Sequence, residues 1–290
     1  MPAFAALCII ATLAAMPVGH SLVRLLEEIS DPWLWGYANV AVGLLGFACV
    51  WVGLRQRELQ ACVLGFIGAN LMFTGFFEFT FALFAEVFAV EPLRSPTSGN
   101  VLLTPGLQIN EASVFILLPL FLLFYANRQV RCTMIVWLRR KLRLDTGPPT
   151  EPSRDRPYAR IVASETLFVI WMIYAASLVT MDPRVLGPTH WFSMVVYGWF
   201  FIWPLYLVTR IIKLKVKGAI FRYAIPVGVL FWAWVETLAS MDVVYEYYLH
   251  PLEYPLATSL TAALAGATLL WIYRPAGSPA EHGRGRDKQP

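Results

Sequence analysis

The sequence predicts an all-α integral membrane protein with about eight transmembrane helices in two groups of four, and with both termini in the cytoplasm. Only 14% of its 290 residues are charged and 58% are hydrophobic, whereas about a quarter of the residues of a soluble domain are charged. Apolar runs of about 20 residues, each long enough to cross a hydrocarbon core of roughly 30 Å, recur along almost the whole chain. Of the 23 Lys and Arg residues, all but Arg24, Arg94 and Arg184 fall on one side of such a bundle, and that side is expected to be cytoplasmic.

The predicted spans cover residues 3–19, 34–54, 60–89, 109–126, 161–180, 190–212, 219–240 and 255–273. They give a first membrane half (1–126), a cytoplasmic segment (127–160), a second membrane half (161–274) and a disordered cytoplasmic tail (275–290). The first span also fits the apolar core of a signal peptide, although no basic segment precedes it, so cleavage after about residue 20 stays open. Within 127–160, "CTMIVWLRRKLRL" predicts a helix in the inner interface, and "DTGPPTEPSRDRP" predicts a hinge between the halves.

A faint internal repeat supports the division into halves. At an offset of 158 residues, Trp33 aligns with Trp191, Arg55 with Lys213, Arg57 with Lys215, and Glu78 with Glu236. Aromatic residues at interfaces and basic residues after spans are expected in any membrane protein, so the match of the two glutamates is the informative one. Two parallel copies of four helices would be an arrangement known among transporters.

Two carboxylates, Glu78 and Glu236, lie well inside predicted spans, away from the span ends. Each is 18 residues beyond the inner edge of its span, a rise of about 27 Å at 1.5 Å per residue, which places it in the outer third of the membrane. Asn70 and Thr74 precede Glu78 at spacings of four and form a polar stripe on one helix face with it. Charged groups at such depths are costly, about 2.5–3.5 kcal/mol each, and therefore face the bundle interior or water.

We predict that Glu78 and Glu236 face each other across an outward-opening cavity and handle protons there, since one of two such carboxylates would keep a proton near neutral pH. Aromatic residues around them suit an apolar or cationic guest. The residues predicted to contribute to binding are Asn70, Thr74, Glu111, His190, Trp232, Trp234, Asp242, Glu246 and His250. The alternative role for Asp242 and Glu246 is that of solvent-exposed acids in a loop or at the membrane interface. For Glu78 and Glu236 the alternative is a structural hydrogen bond.

The sequence also argues against several kinds of site. It has no G-x-S-x-G, no H-E-x-x-H and no phosphate-binding glycine loop. Of its four histidines, His20 and the tail residue His282 lie far out, so a multi-histidine iron or haem site is not expected. The four cysteines are dispersed without metal-ligand spacing.

One metal interpretation rests on the outer side, where Asp182, His190, His250 and Glu246 or Glu253 offer ligands for copper or zinc. The order of a helix, the loop "MDPRVLGPTH", a helix and a basic turn is similar to the metal-bearing third subunit of membrane methane and ammonia monooxygenases. That family has a second histidine in the helix that His190 begins, and "HWFSMVVYGWFFIWPLYLVTR" has none. We therefore predict no metal site and no cofactor.

The function favoured by the sequence is a permease for a small or hydrophobic solute in a bacterial cytoplasmic membrane. Coupling of this transport to protons stays open. The first alternative is an intramembrane enzyme that uses a glutamate as general acid or base on a lipid or isoprenoid. The second is a structural or assembly subunit of a membrane complex. The expected partners are membrane lipids, a small hydrophobic or cationic molecule and other membrane proteins, but not nucleic acid. The substrate and the oligomeric state do not follow from the sequence.

Overall fold

The computed structural model describes residues 1–94, 101–116, 140–141, 143, 156–241 and 243–274. In these ranges, seven helices are long and apolar enough to cross a membrane by their length and composition. The strands found in the same ranges form one antiparallel pair, β1 (Leu93–Arg94) and β2 (Val101–Leu103). The predicted all-α membrane architecture is confirmed at this level.

The first spanning helices are α1 (Pro2–Glu27) and α2 (Pro32–Gly53). A continuous helix from Glu58 to Val87 follows, made of α3 (Glu58–Met72), a π-helical segment (Phe73–Glu78, the π segment) and α4 (Phe79–Val87). The short helix α5 covers Pro105–Ala112. The later helices are α6 (Tyr158–Met181), α7 (Trp191–Ile211), α8 (Lys217–Ala239) and α9 (Pro255–Tyr273), with a 3₁₀ turn at Tyr247–Leu249 before α9.

The predicted fourth span, 109–126, overlaps the end of α5, but its residues from 117 onward lie outside the described residues. Most of the 127–160 segment and the whole 275–290 tail lie outside them as well. The count of eight helices, the interfacial helix, the hinge and the disordered tail therefore stay predictions.

The helices divide into central and peripheral ones. In an apolar stretch of 18 residues within each helix, 56% of the residues are buried in Glu58–Val87 and in α8, compared with 17% in α9. Large apolar side chains on the peripheral helices are exposed, for example Trp33 on α2, Trp191 on α7 and Leu256 on α9. Such surfaces suit contact with lipid, because a helix that is apolar all round belongs in a membrane.

Glycines bring α2 and α3 into close contact. A Cβ atom added to Gly46 would lie 2.6 Å from the carbonyl oxygen of Gly68 and 2.8 Å from the backbone nitrogen of Met72. One turn before Gly46 on α2, Gly43 faces Phe76 and Gly75 of the π segment. Small residues at these positions let the two backbones approach, as is common between membrane helices.

Helices α1, α3, α6 and α8 begin at the same end of the bundle. The Glu58 carboxylate at the start of α3 accepts a 2.7 Å hydrogen bond from Arg222 of α8, and the Lys217 amine lies 5.5 Å from the ring centre of Phe4 in α1. The start of α6 packs beside α3, since Ala159 contacts Gly65 of α3. We call this end, which also carries Arg55, Arg57 and Lys213, the basic end.

Candidate functional site

A cavity of about 60 Å³ lies between α1, the helix of α3 and the π segment, α6 and α8, in the part of the bundle away from the basic end. Each of these helices contributes a polar side chain. The polar lining consists of His20, Asn70, Thr74, Glu78, Tyr174, Trp232 and Glu236. All of these except His20 and Tyr174 belong to the predicted site, and the two carboxylates do line one cavity. Their part in proton handling or binding stays a prediction.

Glu236 is held by two donors from different helices. Its Oε1 atom lies 2.8 Å from Nε2 of His20 on α1 and accepts a 2.9 Å hydrogen bond from the indole Nε1 of Trp232. The Trp232 contact is local, because residues four apart lie on the same helix face. The His20 contact joins α1 to α8. A carboxylate with two donors on one oxygen is fixed in position.

The imidazole of His20 lies among aromatic rings. Its ring centre is 5.8 Å from that of Trp232, 6.0 Å from that of Tyr174 and 5.6 Å from that of Tyr248. Rings at such distances are in attractive contact. The imidazole is thereby kept next to Glu236, where it can give a proton to the carboxylate or take one from it.

Glu78 differs from Glu236 in having no hydrogen bond or ion pair with any residue that the structure describes. It ends the π segment, a form of helix that is rare and occurs frequently at functional sites. Near it, Thr74 is buried, and Asn70 donates from Nδ2 to the carbonyl oxygen of Phe66 over 2.8 Å. With the amide in this orientation, the Oδ1 atom of Asn70 stays available to accept a hydrogen bond.

Tyr248 packs against two residues of the cavity lining, His20 and Trp232. It is 2% exposed, its ring centre lies 4.8 Å from that of Trp232, and Ser21 of α1 donates to its carbonyl oxygen. Its hydroxyl donates to Glu246 over 2.7 Å. Burial, together with the nearby carboxylates, holds the pKa of the Tyr248 phenol well above its ordinary value, so the phenol keeps its proton and remains a donor.

Toward the basic end, the cavity is closed by apolar packing. Phe66, one turn before Asn70 on α3, is fully buried and makes an edge-to-face contact with Phe221 of α8 at 5.8 Å. Beyond this layer lies the ion pair of Glu58 and Arg222, in which Arg222 also donates to Sγ of Cys62 over 3.3 Å. The site is therefore one-sided, with a dry layer between the cavity and the basic end.

Several residues of the predicted site lie elsewhere. Trp234 packs against Phe201 of α7, with ring centres 4.7 Å apart, and does not line the cavity. His190 caps the N-terminus of α7 by accepting from the backbone nitrogen of Phe192. His250 is exposed and lies 3.8 Å from Glu253.

Glu111 and Glu246 also stand outside the lining, and Asp242 lies outside the described residues. Glu111 of α5 faces Arg184, at 4.0 Å, together with Asp182. Burial of Asp182 opposes its ionisation, but hydrogen bonds from Arg184 outweigh that effect and lower the pKa of the Asp182 carboxyl. Glu246 reaches the cavity only through Tyr248. The outer acids therefore form separate small clusters instead of one site.

The metal interpretation finds no support in this geometry. Across the described ranges, no three His, Cys, Asp or Glu side chains lie close enough together to hold a metal ion. Asp182, one of the proposed ligands, is occupied by Arg184 at 2.6 Å, and His190 serves as a helix cap.

The structure corrects the position assigned to His20. Counting apolar residues ends the first span at residue 19 and leaves His20 outside it, but α1 continues to Glu27 and carries His20 into the bundle. Tyr174 was missed because a tyrosine in an apolar helix has no distinctive pattern. The helix-forming run "SLVRLLE" after His20 was the available signal that the helix goes on.

Comparison of the chain with protein-family models, with curated proteins and with solved structures gives no match.

Proposed function

We propose that this protein is a permease of a bacterial cytoplasmic membrane, with both termini in the cytoplasm, in which a proton and a small solute use the same cavity. The observation that carries the proposal is the shared lining of that cavity by Glu78, Glu236 and His20, with His20 and Glu236 in contact at 2.8 Å. Three ionisable groups in one place inside a bundle are costly, and such groups commonly serve ion or proton pathways.

The three groups differ in a way that suits proton exchange. His20 and Glu236 form a pair that can share a proton, and histidine is the side chain whose charge changes most readily near neutral pH. Glu78 is in the same cavity but has no protein partner among the described residues, so it is free to bind either a proton or a solute. Binding one at Glu78 would disfavour the other there, which is the requirement for coupling.

The one-sided closure also supports a carrier. The layer formed by Phe66 and Phe221 separates the cavity from the basic end, so a solute entering from the opposite side cannot pass in this conformation. Carriers work by opening such a layer while closing the other side, through movement of one group of helices against another. In this protein the layer is made by α3 and α8, which belong to different predicted halves.

The test is solute-dependent proton movement in liposomes that contain the purified protein and a pH-sensitive dye. A panel of small neutral, anionic and cationic solutes is supplied outside. We expect at least one solute to drive proton movement with the wild-type protein, and Glu78→Gln and Glu236→Gln each to abolish it, because glutamine keeps the shape but cannot take up a proton.

Glu86→Gln is the matched control, because Glu86 lies two turns beyond Glu78 on the same helix and is exposed. Its flux should equal that of the wild type. Normal flux in both cavity variants, with the fold intact, would contradict the proposed function.

An intramembrane enzyme is the second candidate, and the aromatic rings around His20 favour it, since such rings stabilise cationic intermediates. One of the glutamates would then act as general acid or base. The volume of about 60 Å³ holds only a few heavy atoms and argues for a small solute instead. Mass spectrometry of the same liposomes made with native lipid extract separates the two, because a new lipid product would indicate the enzyme.

A further inference from the structure

We infer that the solute is a small ammonium ion, either ammonium itself or a primary one such as methylammonium, held by the carboxylate of Glu78 with the oxygens of Asn70 and Thr74. This inference rests on the proposed function and names its substrate class. It follows from four properties of the cavity: its open hydrogen-bonding groups, its charge, its aromatic walls and its size.

The open polar groups of the lining can all accept a hydrogen bond, and the hydroxyls of Thr74 and Tyr174 can also donate one. Two N–H donors of the lining, those of His20 and Trp232, are taken up by Glu236. Glu78 and Thr74 have no partner among the described residues, and Asn70 uses its Nδ2 on Phe66. A carboxylate, a hydroxyl and an amide oxygen therefore await a ligand that donates several hydrogen bonds. An ammonium group has three or four N–H donors and no acceptor.

With both glutamates ionised, the charge of the lining favours a monovalent cation. The ionisable acids and bases that line the cavity are Glu78, Glu236 and His20, and neither lysine nor arginine is among the lining residues. If His20 is protonated and both glutamates are ionised, the sum is one negative charge. The nearest arginine on α1, Arg24, is already paired with Glu27 at 2.6 Å. A single positive charge beside Glu78 would make the site neutral, which is favoured away from water.

Aromatic faces complete the walls. Phe73 of the π segment lies 6.5 Å from Tyr174, ring centre to ring centre, and Trp232 lines the cavity from α8. A cation near the face of such rings gains about 0.5–2 kcal/mol, more when it is away from water. The combination of one free carboxylate with aromatic faces is the chemistry by which proteins recognise amines.

The size of the cavity suits a small amine. A cavity of about 60 Å³ has room for a few water-sized groups, so it accommodates ammonium or methylammonium. The inferred substrate is thus a small amine of this kind.

The internal repeat explains why Glu78 is the open carboxylate. At the offset of 158, the positions that match the partners of Glu236 hold other residues: His20 aligns with Leu178, and Trp232 with Thr74. An imidazole and an indole N–H are replaced by an alkyl chain and a small hydroxyl. One glutamate is therefore satisfied by the protein, and the other is left for a ligand.

The test is direct binding of methylammonium chloride to the detergent-purified, full-length protein by isothermal titration calorimetry. We expect saturable binding at one site in the wild type, a loss of at least tenfold in affinity with Glu78→Gln and a smaller loss with Thr74→Val. Glu86→Gln should bind as the wild type does. Thermal unfolding of each variant, compared with that of the wild type, shows that the fold is retained.

Two results would overturn the inference: no saturable binding of methylammonium to the wild type, or binding that Glu78→Gln leaves unchanged. Displacement of methylammonium by an equal concentration of sodium would also overturn it, since the site would then be one for alkali cations. Proton flux that depends on Glu78 without methylammonium binding would leave the proposed function standing and remove only the substrate. Binding that depends on Glu78 without any flux would do the reverse.

Discussion

Glu78 and Glu236 share one cavity but have opposite surroundings. Glu236 accepts from His20 and Trp232 on a single oxygen, whereas Glu78 accepts from none of the described residues. The difference assigns them different tasks in the proposed permease. We propose that Glu236 and His20 pass the proton on, while Glu78 binds the solute in competition with a proton. Such a division is open to test one hydrogen bond at a time.

The indole of Trp232 supplies the simplest such test. Trp232→Phe removes the N–H donor to Glu236 and keeps the ring in place. A hydrogen bond to a charged group contributes about 1.5–3 kcal/mol, so we expect solute-driven proton flux to fall by about 10- to 100-fold, less than the complete loss with Glu236→Gln.

Trp234→Phe is the matched control for Trp232→Phe, because Trp234 is on the same helix but packs against Phe201 of α7. It should leave the flux in liposomes unchanged. Equal flux in Trp232→Phe and Trp234→Phe would mean that the indole N–H does not position the carboxylate.

Sequence reasoning could find residues whose presence in a span is itself unusual. Glu78 and Glu236 are costly at their depth, and Asn70 and Thr74 follow from the spacing on the Glu78 helix. It could not sort the outer residues, because depth along a helix does not tell which residues lie beside each other across the bundle. His190 begins α7 and Glu111 lies on α5, so neither lines the cavity, and Trp234 points to α7 only because of its position around α8.

Helix α2 packs closely against α3 and the π segment, and Gly46 of α2 lies in this contact. Gly46→Ala would put a methyl group 2.6 Å from the carbonyl oxygen of Gly68, and a backbone oxygen cannot move away cheaply. We expect destabilisation of about 1–3 kcal/mol, seen as a lower thermal unfolding temperature of the purified protein in detergent.

Gly266→Ala in α9 is the control for Gly46→Ala, because nothing lies within 4 Å of its added Cβ. Alanine is the better helix former by about 1 kcal/mol, so this variant should unfold at the same or a higher temperature. If Gly46→Ala also unfolds at a higher temperature, then the two backbones are not in close contact.

The spans are predicted more reliably than their internal form. The predicted span 190–212 corresponds to α7, Trp191–Ile211, and the predicted span 34–54 corresponds to α2, Pro32–Gly53. Hydropathy determines such limits well because each one is a change from lipid to water. The π segment has no such signal, since a helix that shifts its hydrogen bonds by one residue keeps the same apolar composition.

At the scale of the whole molecule, the packing repeats itself. Adding 158 to the limits of α2, 32 and 53, gives 190 and 211, and α7 runs from 191 to 211. In the same way α1 corresponds to α6, and α3 to α8. The contacts of α1 with α8 and of α6 with α3 are therefore the same contact with the halves exchanged. This supports, as a proposal, an origin of the two halves by duplication.

The orientation in the membrane can be tested on the full chain. Because α1, α3, α6 and α8 begin at the basic end and basic loops stay in the cytoplasm, we expect the C-terminus after α9 to be cytoplasmic. A fluorescent-protein fusion there should fluoresce, and an alkaline phosphatase fusion at the same position should be inactive.

The other side of the membrane can be tested with a second fusion. Phosphatase inserted in the loop between α1 and α2, at residues 28–31, should be active because that loop lies at the other end of the bundle. Active phosphatase at the C-terminus would reverse the topology and turn the cavity toward the cytoplasm.

The contact between His20 and Glu236 also affects how the protein is made. Helix α1 leaves the ribosome before α8, and Glu236 lies 216 positions after His20 in the chain (236 minus 20). At about 5–20 residues per second, His20 waits roughly 10–40 seconds for its partner. During that time the imidazole has to stay among headgroups and water. Assembly of the cavity is therefore completed only after α8 has entered the membrane.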